Sequence, residues 1–309
     1  MTVLVTGGAG FIGAHLCRAL VARGHDVVVL DDLSTSSGEA LATLDVRLVT
    51  GSILSVEALA EAIVGVDTVV HLAGLGSVPR SIAQPRRTFE VNALGTVAVL
   101  EACRTHEVGH LLLASSSSVY GRHAVLPARE DQPAAPASPY AASKLAAEQA
   151  ALSWQAAYGL PTLVFRFFNV FGPGQRPDHT YAAVVPRFGH AALTGLPLVV
   201  HGDGRQSRDF TSVHSVVDGL VRAVEERTTA PLPVNLAFGS GRDLLCVAGE
   251  LEELVGRRLE LRHEPERRGD VRATLADTAR LHALMPGLQP VPFRDGLAET
   301  VEWLRATLR

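Results

Sequence analysis

Through the first half of the chain, short runs of β-branched and aliphatic residues alternate with longer stretches of helical period. Residues 3–5, 27–30, 46–49, 68–72, 111–114 and 162–167 read as strands, and residues 11–23, 56–64, 88–104 and 139–158 as helices. These strands carry no alternation of polar and apolar positions, so both faces are expected to be buried, as in a parallel sheet covered by helices. Strands of that kind alternating with helices predict an α/β, Rossmann-like, doubly wound sheet. From about residue 171 the rhythm loosens into loops rich in Gly, Pro and Arg, with helices expected at 182–194, 213–226, 242–255 and 294–308 and a strand at 198–200. No internal repeat or low-complexity tract interrupts the pattern.

Composition narrows the classes that remain. The chain has 309 residues, and at 47% apolar content it has ample material for a core. A net charge of −4 without long single-sign runs offers nothing to nucleic acid or an anionic membrane. Cys17, Cys103 and Cys246 lack the paired spacing of a metal site or redox motif, so reduced thiols and no metal are expected. With no basic leader and no apolar run near the ~18 residues of a membrane span, the expected location is the cytoplasm.

Two motifs carry chemistry. Thr6-Gly7-Gly8-Ala9-Gly10-Phe11-Ile12-Gly13 follows the first strand and opens the first helix, placing backbone N–H groups and a helix N-terminus where a pyrophosphate would sit. Asp31, at the end of the second strand, can accept from adenosine ribose hydroxyls, with Asp32 beside it; a carboxylate there repels a 2′-phosphate, so NAD is expected rather than NADP. The first part of the chain, residues 1–168 with return segments near 211–240, is thus expected to be an NAD-binding domain, and residues 169–309 mainly a smaller substrate-binding domain.

The second motif begins with Ser115-Ser116-Ser117-Ser118-Val119-Tyr120-Gly121, at the C-terminal edge of the sheet where open α/β sheets bind ligands. Tyr140 and Lys144 follow, one helical turn apart and so on one face. A cation beside a phenol favours the phenolate, the base that an unactivated alcohol requires. Lys144 is the single lysine of an otherwise arginine-based chain, and a guanidinium cannot replace a compact ammonium in such a site.

With these motifs, the chain resembles the extended short-chain dehydrogenase/reductase family, and within it the nucleotide-sugar 4-epimerases. The resemblance runs through His71-Leu72-Ala73-Gly74, Asn92-Ala93-Leu94-Gly95-Thr96, Arg166-Phe167-Phe168-Asn169, and Gly202-Asp203-Gly204 to Ser207-Arg208-Asp209-Phe210. It implies an isomerase of carbohydrate metabolism that oxidises the sugar C4 hydroxyl with tightly bound NAD and returns the hydride to the other face. Tyr140 would be the base, Lys144 its partner and Ser116 the hydroxyl on the C4 oxygen. The implied cofactor set is Gly7, Gly10, Phe11, Ile12, Gly13, Asp31, Asp32, Ser34, Thr35, Ser52, Ile53, Leu72, Ala73, Gly74, Asn92, Ser115 and Phe167, together with Tyr140 and Lys144. The implied substrate set is Gly76, Ser77, Ser116, Ser117, Asn169, Arg176, Ala183, Val184, Arg208, Arg267, Asp270 and Thr274. A homodimer through the helices at 88–104 and 139–158 is also implied.

The chain departs from the family pattern in informative places. Where similar 4,6-dehydratases carry an Asp-Glu pair and the decarboxylases a glutamate, this chain has Ser117 and Ser118, which leaves the 4-keto sugar no acid or base for elimination. Gly51-Ser52-Ile53 stands where many members place an aspartate on adenine. Thr274 replaces a bulky tyrosine that restricts plain-hexose enzymes, and Arg176 lies where an arginine meets the carboxylate in UDP-glucuronate enzymes. The expected UDP-sugar is therefore UDP-glucuronate first, then UDP-N-acetylglucosamine, then UDP-glucose. The rival reading is a reductase, dehydrogenase or dehydratase of the same family.

Overall fold

A computed structural model of the chain describes residues 1–177, 182–266 and 271–308. They form two compact units, the first of residues 1–120, 133–167 and 217–234, the second of residues 121–132, 168–216 and 235–309. The segment 121–132, part of the first half by sequence, thus belongs to the second unit.

The first unit is built on β1 (Thr2–Thr6), β2 (Asp26–Asp31), β3 (Val46–Thr50), β4 (Thr68–His71), β5 (His110–Ser116) and β6 (Thr162–Phe167). They lie in the order β6-β5-β4-β1-β2-β3 with every one of these neighbours parallel, and the short strand Val234–Leu236 extends the β6 edge to seven strands. This is the Rossmann-like α/β class expected from the apolar runs, with the order reversing between β1 and β4, where such sheets bind ligands. Both faces are covered, so Val3, Leu4, Val5, Val69, Val70, Leu111 and Leu112 sit near zero exposure.

The helix expected at 88–104 is instead three pieces: Pro85–Phe89, one π-helical turn Glu90–Leu94, and Gly95–Thr105. The widened turn contains Asn92, whose carbonyl accepts the Thr96 hydroxyl and whose side chain is drawn to the neighbouring loop. Hydrophobic period alone does not encode such an insertion. The helix Pro139–Tyr158 starts at Ser138, whose side chain caps the Ala141 amide with Pro139 in the first turn, and it stops at Gly159 in the left-handed region.

The second unit has its own core of Phe171, Phe188, Phe210, Leu251, Phe293 and Leu297. Phe171 and Phe293 pack with centroids 5.0 Å apart, and Phe210 and Phe293 at 5.4 Å. Its strands are two to four residues long and pair off in twos, as Ser207–Asp209 with Gly241–Asp243 and Leu198–His201 with Leu261–Glu264. No helix among the described residues is long and apolar enough to cross a membrane.

Candidate active site

Three segments of the first unit converge at the C-terminal edge of its sheet. The loop after β1 turns on Gly7, at φ +72°, where a Cβ would lie 2.7 Å from the Ala73 amide nitrogen. A side chain on Gly13 would meet the Gly7 carbonyl, so the glycines press the loop against residues 72–73 and let the helix Phe11–Ala22 begin at once. Gly10 caps that helix with no side-chain bond. Its first N–H groups remain directed beyond the strand, as an anion at a helix N-terminus requires.

Asp31 ends β2 and is half-buried, its two oxygens accepting the Ala9 amide at 3.0 Å and the Leu33 amide at 2.9 Å. Burial pushes its carboxyl up and these amides oppose the shift. One amide on each oxygen leaves lone pairs for a diol. Asp32 and Ser34 are exposed and joined by a 3.0 Å bond from the Ser34 amide; Thr35 is exposed too. The glycine cradle, the helix start and the carboxylate together fit an adenosine diphosphate. Other expected contacts are placed differently. Ile53 has its side chain in the core, and the Ser52 hydroxyl accepts the Leu54 amide. Ser77 caps the helix Val78–Ala83. Phe167 ends β6 half-buried, and Gly76 is exposed.

The residues expected to be catalytic come from β5 and the helix Pro139–Tyr158. Ser116 is 8% exposed, accepts the Ser118 amide at 3.2 Å and faces the Tyr140 phenol closely enough to oppose the effect of its burial. Lys144, also 8% exposed, donates to the Ala114 carbonyl at 2.9 Å. A Cβ on Gly74 would lie 3.1 Å from Asn92 Oδ1 and 3.4 Å from Lys144 Nζ, so residues 72–75 border the same place. Ser117 follows Ser116 in a short 3₁₀ turn and is half-buried.

The electrostatics differ from the sequence expectation in one respect. Burial pushes the Tyr140 phenol up, and the group that opposes it is Ser116. Burial likewise pushes Lys144 down, from 10.5 to about 8. The expected pull of the ammonium on the phenol is therefore not what governs either group: desolvation leads at both, and the ammonium is aimed at a carbonyl.

Several bonds hold this place together, two of them at residues expected to contact the cofactor, Ser115 and Asn92, whose side chains are instead engaged within the protein. Ser115 donates to Glu148 at 2.9 Å, so its hydroxyl is engaged by the helix; Arg166 pairs with Glu148 at 2.6 Å and lies 4.6 Å from the Tyr120 ring centroid. Asn92, 1% exposed, accepts the Leu75 amide at 2.7 Å and donates to Ser143 Oγ at 3.0 Å.

In the second unit, a cavity of about 240 Å³ is lined by Asn169, Ala183, Val184 and Arg208, all expected, and by Gln175, Arg187, His201 and Gln206, which sequence reading missed. Ala183 precedes the helix Val184–Thr194 without a side-chain cap, and Arg187 lies in its first turn, so a helix N-terminus and a guanidinium meet at the cavity. Asn169, at φ +33°, donates to the Asp209 carbonyl and to Thr274 Oγ1, both at 3.1 Å; Thr274 also accepts the Asp209 amide at 3.1 Å. Thr274 thus fixes Asn169 in place as well as occupying less space than a tyrosine. Arg176 is exposed on the loop after Gln175, while Arg267 and Asp270 lie outside the described residues.

Residues 3–237 match the model of the NAD dependent epimerase/dehydratase family. The UDP-glucose 4-epimerase of Mycolicibacterium smegmatis is 37% identical over 99% of both chains. Two solved structures are similar throughout. The UDP-N-acetylglucosamine 4-epimerase of Methanobrevibacter ruminantium, in complex with UDP-N-acetylmuramic acid, has TM-score 0.94 and 32% identity over 99% of this chain and 98% of that one. The UDP-glucuronic acid 4-epimerase of Bacillus cereus, in complex with UDP-glucuronic acid and NAD, has TM-score 0.90 and 29% identity over 99% of this chain and all of that one. The NAD expected from the glycine loop and Asp31 agrees with these findings, and the chain belongs to the NAD dependent epimerase/dehydratase family.

Proposed function

We propose that this protein is a UDP-sugar 4-epimerase, with UDP-glucuronate its preferred substrate ahead of UDP-N-acetylglucosamine and UDP-glucose. The observation that carries the reading is the pairing of Ser116 with Tyr140 beside Lys144, in a chain whose Ser117 and Ser118 supply no second acid or base. The glycine loop and Asp31 would hold NAD, which when bound would supply hydride-transfer chemistry at the sugar C4. Tyr140 takes the C4 hydroxyl proton and returns it after the 4-keto sugar has turned over. Ser116 holds the C4 oxygen in both orientations, and Lys144 keeps positive charge beside the developing oxyanion. Since the hydride goes back to the same carbon, no net redox results.

The nucleotide diphosphate is assigned to the cavity of the second unit, where Arg208 and Arg187 offer guanidinium forks to phosphate oxygens. Asn169, Ala183 and Val184 complete that wall, and Arg267 and Asp270 are proposed to join it. The preference for UDP-glucuronate rests on Thr274 in place of a tyrosine and on Arg176 as partner for the sugar carboxylate. Separate incubations with the three UDP-sugars, followed through the sugar anomeric proton signals, test the assignment. UDP-glucuronate is expected to turn over with the highest kcat/KM and to lose at least tenfold in Arg176→Ala. Equal handling of UDP-glucuronate by that variant removes the preference.

A further inference from the structure

His71 ends β4 at 2% exposure, and both of its ring nitrogens are engaged, Nδ1 with Thr6 Oγ1 at 2.6 Å and Nε2 with Thr96 Oγ1 at 3.0 Å. Their neighbours fix where the ring proton resides. Thr96 gives its hydroxyl hydrogen to the Asn92 carbonyl at 2.7 Å, so towards the ring its oxygen accepts, and the proton is on Nε2. Nδ1 is then an acceptor and takes the hydroxyl hydrogen of Thr6, whose oxygen accepts the Ala73 amide at 3.3 Å.

The chain of bonds continues at the other end. The Asn92 side chain accepts the Leu75 amide and donates to Ser143 Oγ, and Ser143 donates to the Tyr140 carbonyl at 2.8 Å. One directed series therefore runs from Thr6, the residue before Gly7, to the helical turn that carries Tyr140 and Lys144. An aliphatic side chain would fill this strand end as well, but it would leave the Thr6 and Thr96 hydroxyls without their ring partner. Burial, together with the charge of Lys144, holds the imidazole neutral with its pKa at about 3, which keeps the direction of the series fixed.

We propose that His71 is a positioning residue for the redox step, joining the glycine loop, residues 72–75 and Asn92 to the catalytic helix so that the dinucleotide site and the Tyr140–Lys144 pair keep one geometry. The proposal rests on the reading of Tyr140 and Lys144 given above. A geometry held this way acts on the chemical step and leaves sugar binding alone.

The test compares the NAD-loaded parent protein with His71→Leu, His71→Gln and Thr96→Val in steady-state epimerisation of UDP-glucuronate, UDP-N-acetylglucosamine or UDP-glucose, whichever the parent turns over fastest. In His71→Leu, kcat is expected to fall at least tenfold while KM stays within about twofold. His71→Gln, whose amide can still donate towards Thr96, should recover part of kcat, and Thr96→Val should fall in the same sense by less. Should His71→Leu not fold, Thr96→Val and His71→Gln decide by the same criterion. A folded variant lacking the bonds yet keeping kcat within twofold of the parent overturns the proposal alone. A parent that turns over none of the three sugars overturns the reading of Tyr140 and Lys144, and the proposal with it.

Discussion

Ser115 donates its hydroxyl to the same Glu148 oxygen that accepts Arg166 Nε, at 2.9 and 3.0 Å, and so clamps the helix Pro139–Tyr158 to β5 and β6 one turn beyond Lys144. Glu148 has no exposure and Arg166 3%, so removing the carboxylate leaves a buried guanidinium without its counter-charge. Glu148→Ala is expected to lower stability by about 3–5 kcal/mol in urea unfolding. A loss below about 1 kcal/mol would show that the clamp does not hold the helix.

Ser116 is the group that opposes burial at the Tyr140 phenol. Ser116→Ala should move that phenol further up, and with Tyr140 in its proposed role as base the acidic limb of the kcat profile should shift to higher pH, with kcat down by roughly tenfold to a thousandfold. A profile that keeps its limb in place while kcat falls would mean that another group governs the ionisation.

Lys144 has little room, with the Ala114 carbonyl at 2.9 Å and the backbone of Gly74 close by. Lys144→Arg keeps the charge but forces a longer, forked head into that space, so kcat is expected to drop by two orders of magnitude or more. Activity within tenfold of the parent would show that charge alone suffices.

Thr274 accepts from both Asn169 and the Asp209 amide. Thr274→Val keeps the shape and removes the acceptor, so KM for the UDP-sugar should rise severalfold with kcat little changed, in steady-state assays on the folded variant.

His71 also sets a pH dependence of stability. Its folded pKa of about 3 lies below the ordinary 6.5, so the unfolded chain binds the proton first as pH falls. The stabilisation is whole above pH 6.5 and is lost progressively towards pH 3. Urea midpoints measured across that window should fall more steeply for the parent than for His71→Gln.

Much of this was legible in the sequence because it is local. The apolar runs of β1, β4 and β5, the strand-loop-helix around Gly7 and Gly13, and the four-residue spacing of Tyr140 and Lys144 each declare themselves within a short window. What stayed hidden is set by tertiary contacts. The π turn at Asn92 depends on a loop seventeen residues away, through the Leu75 amide that Asn92 accepts. Strands such as Ser207–Asp209 are too short to carry a period and exist through their partners. Arg187 and His201 look like ordinary helix and strand residues until the cavity gathers them; Gln175, beside Arg176, and Gln206, next to the Ser207-Arg208 motif, were the ones with a positional signal. Burial, which no spacing reports, reversed the expected direction at Tyr140.

The most direct test of the central claim is to incubate the NAD-loaded protein with UDP-glucuronate in D₂O, with no added NADH, and to follow the sugar protons by NMR. The account predicts appearance of the 4-epimer with its C4 proton retained, because the hydride returns from the bound nicotinamide, and with no accumulation of NADH. Deuterium entering C5 with loss of water, or net NADH produced in step with an oxidised sugar, would contradict it.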